Sequence, residues 1–407
     1  MPDLETRLAR SRAALLDEIE QPPLAAVRRR ATRIRRRRAA AAGATALAVL
    51  GVIGLGARPW QQDTTPSVTA TGQPTNAPVY RGAGIEIIGL APDPVFDLDG
   101  EIADVEFTDA THGVVTAGCD RRCPPLASTS DGGLSWRTVP GSLTNDGLPD
   151  LVAFPEGRLL LVGNGAYWSA DVGTGLHKIT PPEPTTRARI GPGELPRLED
   201  LSDGVVVWSP DQGPLGPLAT QPPITVRWVA PAPAGDGAWW VGGVAGNRPA
   251  VAVSHDAGAT WKKTVLSEPA GEVSTVAIGT LGTEVYAVAR GEIGELRGIY
   301  RSTDSGATFT PTYLGDRAAA NRTVPGTVSG DPVPLLDGRL LLVEPSGIRG
   351  SWWVSDDDGS TFTPVEGLPA AGEIRRTYAG YVVYGLFDST WTAFSPDGTN
   401  WQKLQIY

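Results

Sequence analysis

The sequence has few of the side chains that hold metals or carry redox chemistry. Its 407 residues include two cysteines, three histidines and one methionine. The histidines, His112, His177 and His255, do not lie at the spacing of paired metal ligands. The HExxH, GxSxG and Gly-Lys phosphate-loop motifs are missing. We therefore expect no cofactor and no metal.

The two cysteines, Cys119 and Cys123, lie close together in the segment GCDRRCPP. Outside the cytoplasm such a pair favours a local disulfide that closes a small loop. A metal site is the weaker interpretation, because two sulfur ligands need partners that the three histidines do not supply. We expect a disulfide between these cysteines.

Positive charge is scarce in most of the chain. Residues 1–58 contain 12 of the 35 basic residues and 5 of the 45 acidic ones, which leaves a net charge of −17 on residues 59–407. A nucleic-acid surface needs clustered lysine and arginine to displace counterions from phosphates. The acidic body excludes nucleic acid as the expected partner.

One long apolar run stands near the amino terminus. Residues 39–56 are 18 uncharged, mostly apolar residues, which span about 27 Å as a helix. The arginine-rich segment 28–38 precedes them and predicts a cytoplasmic amino terminus, with Trp60 as an interfacial anchor. We expect a transmembrane helix and a single-pass protein of the cell membrane. A cleaved signal peptide is the alternative, although GLGARPW is a poor cleavage site.

The segments on either side of the predicted span differ in character. Residues 1–38 begin with leucines at helical spacing and predict a short amphipathic cytoplasmic helix, with docking of a cytoplasmic partner as a further hypothesis. Residues 57–80 are rich in Thr, Pro and Gln and predict an extended linker. This organisation broadly resembles membrane-anchored regulators of anti-sigma type in actinobacteria, in agreement with 31 arginines against 4 lysines.

Glycine (50) and proline (36) are abundant, which favours short strands joined by turns. A motif that we call the aspartate turn recurs through the rest of the chain: a hydroxyl residue, an aspartate two positions later, then glycine and an aromatic residue. Its five clear copies are Thr129–Trp136, Ser254–Trp261, Ser302–Phe309, Ser355–Phe362 and Ser395–Trp401, with the aspartates Asp131, Asp256, Asp304, Asp357 and Asp397. Degraded copies surround Asp171 and Asp211. The aspartates are spaced by 40 to 53 residues, the length of one propeller blade.

Each unit repeats four strand-like segments. In residues 272–314 these are VSTVAI, EVYAVAR, GIYRS and TFTPTY, with the aspartate turn between the last two. Seven such antiparallel sheets predict an all-β, seven-bladed β-propeller over residues 81–407, with six blades as the alternative. The proline-rich stretch around Asp211 leaves a turn between a second and a third strand as another interpretation.

The aspartate turn resembles the Asp-box, or BNR repeat, of sialidase-like propellers. The resemblance implies that the five aspartates are structural and lie away from any catalytic face. The residue chemistry agrees, since Asp accepts hydrogen bonds from turn N–H groups and Gly supplies backbone angles that other residues avoid. The sialidase Arg-Ile-Pro signature is missing, because the nearest candidate, Arg81 in VYRGAGIE, lacks Ile-Pro.

No catalytic residue can be assigned from the sequence. Ordinary glycoside hydrolysis needs paired carboxylates, and the acidic chain offers many: Asp97, Asp99, Glu101 and Asp104, then Glu194, Glu199 and Asp200. A solvated rim explains these as well, and DLDGE is only part of a calcium loop. The pairs Trp239–Trp240 and Trp352–Trp353 suggest sugar stacking, but alternation along a strand favours packing between blades.

The sequence therefore predicts a membrane-anchored, extracytoplasmic propeller that acts as a non-catalytic binding or scaffold module for a protein or a cell-envelope glycan. The alternatives are a sialidase-like or other glycoside hydrolase, and an envelope sensor that signals to a cytoplasmic partner.

Overall fold

The chain folds into β-strands joined by turns. A computed structural model describes residues 79–89, 101–118, 126–139, 150–163, 166–171, 175–198, 204–315, 323–345, 351–385 and 391–404. These residues form 29 strands and one 3-10 turn, Pro155–Gly157, and they contain no α-helix. No helix in this part of the chain is long and apolar enough to cross a bilayer. The predicted span 39–56, the segment 1–38 and residues 57–78 of the predicted linker lie outside the described residues.

The strands form seven antiparallel sheets, which we number as blades 1 to 7. Blade 1 contains β3 to β6 (Glu101–Phe107, Gly113–Gly118, Leu126–Thr129, Arg137–Thr138), and blade 2 contains β7 to β10 (Asp150–Ala153, Arg158–Gly163, Ala166–Asp171, His177–Ile179). Blade 3 contains β11 to β13 (Leu195–Leu198, Val205–Ser209, Gly213–Pro217). Blade 4 contains β14 to β17 (Thr225–Val229, Trp239–Ala245, Arg248–Ser254, Lys262–Val265).

The other three blades follow in chain order. Blade 5 contains β18 to β21 (Thr275–Leu281, Glu284–Arg290, Leu296–Ser302, Thr310–Leu314), and blade 6 contains β22 to β25 (Val333–Pro334, Leu340–Glu344, Ser351–Ser355, Thr363–Val365). Blade 7 contains β26 to β29 (Ala371–Arg376, Tyr381–Gly385, Thr392–Ser395, Asn400–Lys403). The prediction of an all-β propeller with seven blades is confirmed, and the six-bladed alternative is wrong.

The strands of blade 5 show why the sequence folds in this way. Its predicted segments correspond to β18 to β21 with shifts of a few residues at the ends. The second and third strands are almost wholly buried, because both of their faces pack against neighbouring blades, whereas the fourth strand is mostly exposed. The first strands β14, β18 and β22 contact one another in succession. We call such first strands the inner strands.

An amino-terminal hairpin completes the sheet of blade 7. Strand β1 (Val79–Gly82) pairs with β2 (Ile85–Ile88), and β2 pairs in parallel with the last strand, β29. The sheet order is β1-β2-β29-β28-β27-β26, so this hairpin covers the outer edge of the blade. Strand β1 begins inside the segment that was predicted as linker. The chain thus uses its first described strands to extend its last blade.

Blade 3 departs from the four-stranded pattern. It has three strands among the described residues, and its two outer strands, β12 and β13, are joined by the turn that contains Asp211. Arg187 forms a parallel bridge with Leu218 at the outer edge of this sheet. Strand β11 contacts β14, the inner strand of blade 4. Strand β11 therefore takes the innermost place in this blade.

The core lies between the blades. Trp239 and Trp240 are neighbours on β15, yet they belong to two different apolar clusters, one with blade 3 and one with blade 5. Trp352 and Trp353 on β24 divide in the same way. All four side chains are buried, which agrees with packing between blades rather than an exposed sugar platform. Each such burial contributes about 2–3 kcal/mol to stability.

Candidate functional site on the inner strands

The five clear aspartate turns share one hydrogen-bonding arrangement. In the turn after β16, Ser254 Oγ donates to Asp256 Oδ1 at 2.8 Å and accepts from Gly258 N at 2.7 Å. Thr260 donates its backbone N–H to Asp256 Oδ1 at 2.8 Å and its hydroxyl to Oδ2 at 2.6 Å. Ala257 and Gly258 both have positive φ angles, 57° and 84°. Both carboxylate oxygens of Asp256 are therefore bonded inside their own turn.

The arrangement recurs around Asp131, Asp304 and Asp357. In the shorter last copy, Asn400 Nδ2 replaces the hydroxyl and donates to Asp397 Oδ2 at 3.3 Å. Hydrogen bonds from Thr260 lower the pKa of Asp256. Hydrogen bonds from Thr308 lower the pKa of Asp304 to about 2. These carboxylates are held as anions by local donors.

The two degraded copies differ from this arrangement. Asp211 N donates to Ser209 Oγ at 3.3 Å, but the Asp211 carboxylate pairs with Arg158 of blade 2. The turn joins β12 and β13, the second and third strands of blade 3 counted from β11, as the alternative interpretation predicted, whereas the clear copies join the third and fourth strands of their blades. Asp171 ends β9, and its side chain lies outside the description. The Asp211 carboxylate therefore forms an ion pair between two blades instead of the hydrogen bonds that stabilise the clear turns.

Other residues that the sequence singled out lie apart from one another. Arg81 pairs with Glu86 inside the exposed amino-terminal hairpin, with 2.9 Å between Nε and Oε2. Glu194 accepts from Arg187 at 2.9 Å and from Gly191 N at 2.6 Å. Glu101 begins β3. Cys119, Cys123, Asp97, Asp99, Glu199 and Asp200 lie outside the described residues.

A set of charged side chains gathers on the inner strands of blades 7 and 1. Arg375 Nη1 donates to Asp104 Oδ1 at 2.7 Å, and Arg375 Nε donates to Glu373 Oε1 at 2.7 Å. The guanidinium carbon lies 4.8 Å from the ring centroid of Tyr384. The hydroxyl of Tyr384 accepts from Val105 N at 3.1 Å. We call Asp104, Glu106, Glu373, Arg375 and Tyr384 the Arg375 cluster.

The electrostatics of this cluster are uneven. Burial lowers the pKa of Arg375, but Tyr384, Glu373 and Asp104 overcome that effect and raise it well above its ordinary value. Glu106 lies two residues after Asp104 on β3, so the two carboxyls share a face. Burial and the charge of Asp104 raise the pKa of Glu106 well above its ordinary value, against Arg197 and Arg375. The cluster combines a charged arginine with a carboxyl that favours its neutral form.

The next residue along β26, Arg376, faces the other way. Neighbouring residues of a strand point to opposite faces, and Arg376 pairs in register with Tyr381, which packs between blades 6 and 7. Asp331 accepts from Arg376 N at 3.1 Å and from Trp228 Nε1 at 3.4 Å. Burial raises the pKa of Asp331 to about 8 and lowers that of Arg376 to about 9. We call Asp331, Arg376 and Tyr381 the Arg376 cluster.

Of the residues in these clusters, only Asp104 is among the candidates that the sequence predicted. A signal was present in GEIRRTY, which precedes the apolar segment YVVYG as a first strand precedes a second strand, yet contains three charged residues. Glu373, Arg375 and Arg376 are therefore charged residues on an inner strand. Among the described residues no group of three His, Cys, Asp or Glu side chains could hold a metal ion.

Comparison with known proteins relates the chain to other propellers by fold. No protein-family model and no curated protein matches it. Solved structures that match include YCF48 bound to a D1 peptide, at 17% identity over 75% of this chain and 84% of that one, with a TM-score of 0.33. YCF48 from Cyanidioschyzon merolae matches at 12% identity, covering 71% and 98%, with a TM-score of 0.36.

An enzyme is among the matching structures as well. A streptogramin B lyase matches at 12% identity over 76% of this chain and 93% of that one, with a TM-score of 0.44. At these identities and scores the similarity concerns the propeller fold alone. The comparisons support neither a relation to sialidases nor an actinobacterial origin.

Proposed function

We propose that the propeller is a non-catalytic binding module that recognises a protein or a cell-envelope glycan through the Arg375 cluster and the neighbouring Arg197. The observation that carries this proposal is the gathering of polar groups from blades 1, 3 and 7 on inner strands. Asp104, Glu106, Glu373 and Arg197 are each partly exposed. Solvent, and therefore a ligand, reaches them.

The bonding of Arg375 supports binding over catalysis. Asp104 and Glu373 both accept from this one guanidinium, so each carboxylate is oriented and neutralised by an arginine. A glycosidase nucleophile must instead be free to attack the sugar. Fixed carboxylates and guanidinium groups suit recognition, because they present preorganised donors and acceptors to hydroxyl and amide groups of a ligand.

Arg197 supplies the accessible cation of the proposed site. Its guanidinium carbon lies 5.5 Å from the ring centroid of Trp208, which restricts the orientation of the side chain. The charge of Arg197 also acts on Glu106 and opposes the effect of burial on the pKa of that carboxyl. A preorganised arginine loses little conformational entropy when it binds a ligand.

The binding proposal is tested with the full-length protein on a glycan array and by crosslinking in native envelopes. We expect Arg197→Gln to abolish the ligand signal. The matched control is Arg187→Gln, which removes an arginine that pairs with Glu194 in blade 3 and should leave the signal unchanged. Equal binding by wild type and Arg197→Gln would refute a ligand site at this cluster.

A second function, glycoside hydrolysis, is favoured by one observation. The raised pKa of Glu106 suits a general acid, which must carry a proton at working pH. A panel of fluorogenic glycosides tests this function. Turnover that Glu106→Gln abolishes would establish a hydrolase, whereas ligand binding that survives Glu106→Gln without turnover supports the binding module.

The anchoring of the module is part of the same proposal. The apolar segment 39–56 behind the arginines of residues 28–38 supports a single-pass membrane protein with the propeller outside the cytoplasm. A reporter that is active only outside the cytoplasm, fused after Tyr407, should give signal. A silent fusion with normal expression would contradict this orientation.

A further inference from the structure

The Arg376 cluster contains polar atoms that are buried and unmatched. The side chains of Arg376 and Tyr381 belong to residues with exposures of 2% and 1%. Arg376 Nε, Arg376 Nη2 and the Tyr381 hydroxyl have no hydrogen-bond partner among the described residues. A buried donor without a partner costs about 1–3 kcal/mol, and more when it carries charge. Three such donors at one place require an acceptor.

The geometry of these donors favours an anion. Nε and Nη2 lie on one edge of the planar guanidinium and direct their hydrogens the same way, which is the edge that binds anions with two parallel hydrogen bonds. Tyr381 pairs with Arg376 across β26 and β27, so both side chains lie on one face. Tyr381 is also the group that most strongly opposes the effect of burial on Arg376.

The hydrogen bonds around the cluster leave the Arg376 donors available. Arg290, at the end of β19, donates to Gly330 O. The Asp331 carboxylate accepts from the backbone N–H of Arg376 and from Trp228 Nε1, and not from Arg376 Nε or Nη2. Buried charges in proteins are paired or they are strongly destabilising. The Nε and Nη2 edge of Arg376 therefore faces a place where an anion would be stabilised.

The surroundings limit the size of the anion. Ile374, Val333 and Trp228 are fully buried beside the cluster, and their side chains offer apolar walls. A partner's carboxylate or a phosphate ester would need an opening through these residues. A spherical monovalent anion needs only the three donors that Arg376 and Tyr381 present. We propose that Arg376 and Tyr381 form a buried structural site for a halide ion, with chloride as the physiological occupant.

Thermal unfolding of the full-length protein at constant ionic strength and pH 7 tests this site, with gluconate replaced stepwise by chloride or bromide. We expect the melting temperature to rise saturably with halide. Tyr381→Phe removes one donor and keeps the ring, so the halide concentration at half effect should rise about tenfold. Arg376→Met should abolish the halide dependence.

The chain provides a matched control for Tyr381→Phe. Tyr286 is also fully buried, and its hydroxyl lies beside the Arg301 guanidinium. Arg301, however, already pairs with Glu284 and Asp358. Tyr286→Phe should therefore leave the halide dependence as in the wild type.

Crystals grown in bromide locate the ion. We expect an anomalous difference peak from bromide within hydrogen-bond distance of the Arg376 guanidinium and the Tyr381 hydroxyl. A wild-type melting temperature that is the same in halide and gluconate would overturn the proposal, and so would a water molecule in place of bromide. A halide effect that neither Tyr381→Phe nor Arg376→Met changes would place the anion elsewhere and would also overturn it.

Discussion

The carboxyl groups of the aspartate turns and those at the inner strands have pKa values shifted in opposite directions. At the turns, Asp256 and Asp304 are exposed, bonded by neighbours within four residues, and their pKa values are lowered. At the inner strands, Glu106 on β3 and Asp331, two residues before β22, have raised pKa values, with burial as the main cause. The turns repeat from blade to blade, and the inner-strand charges do not. The repeated aspartates stabilise turns of the fold, whereas the unrepeated charges are specific to particular blades of this chain.

The largest loss of stability is expected on the inner strands, from Arg375→Met. This change leaves Asp104 and Glu373 without their shared cation, and loss of one partner from a buried ion pair costs about 3–5 kcal/mol. The control is Arg81→Met, which breaks an exposed pair and should cost less than about 1 kcal/mol. Denaturant unfolding measures both. Similar losses of stability for the two variants would contradict the proposed difference between the inner strands and the exposed pair of the hairpin.

A smaller loss is expected at a turn, from Gly306→Ala. Gly306 has a φ of 78°, and a Cβ atom there would lie 2.1 Å from Trp240 Cη2 of blade 4. Strain and overpacking together should cost roughly 2–4 kcal/mol. Gly282→Ala separates backbone strain from overpacking, because Gly282 also has a positive φ but no atom lies within 4 Å of the added Cβ. We expect about 1 kcal/mol for Gly282→Ala, again by denaturant unfolding.

The dependence of stability on pH should have two limbs, one from each region. Asp331 has a folded pKa of about 8, above its unfolded value, so the stability it contributes is complete below about pH 4 and is lost as pH rises toward 8. Glu106 acts in the same direction. We expect a loss of about 3 kcal/mol between pH 5 and pH 7 from Asp331. Asp331→Asn should flatten this limb.

The turn aspartates produce the opposite limb. Asp304 has a folded pKa of about 2, below its unfolded value, so the stability it contributes is present above about pH 4 and is lost as pH falls toward 2. Asp304→Asn should reduce the acid limb and leave the limb above pH 5 intact. A single variant that flattened both limbs would show that the two regions are coupled.

The smallest difference is expected between a clear and a degraded turn. Asp256→Ala leaves the turn donors of Thr260 to water and should cost about 1 kcal/mol, since the site is exposed. Asp211→Ala breaks only a partly exposed pair with Arg158 and should cost about 0.5 kcal/mol or less. Thermal unfolding of both variants ranks them. A larger loss for Asp211→Ala would mean that ion pairs between blades stabilise the protein more than the hydrogen bonds within the turns.

The sequence predicted the features that depend on local bonding. The hydrogen bonds of an aspartate turn are formed within eight consecutive residues. The motif is therefore visible in the sequence, and its repeats predict the number of blades. The Arg375 cluster depends on Asp104 and Arg375, which are 271 residues apart, and no local pattern encodes such a contact. The three-stranded form of blade 3 was hidden for a related reason, because β11 takes the innermost place through its contact with β14 and not through its own four residues.

The amino-terminal hairpin has a consequence for the order of folding during synthesis. Strand β2 pairs with β29 through Glu86 and Asn400, so during synthesis the hairpin meets its edge partner only after blades 1 to 6 have been made. Until then the hairpin exposes an unpaired strand edge, the kind of surface that joins other chains. Blades 1 to 6 can pair their own strands as they emerge. The hairpin therefore joins its sheet only after β29 has been made, and slow synthesis of blade 7 should prolong the period in which nascent chains associate.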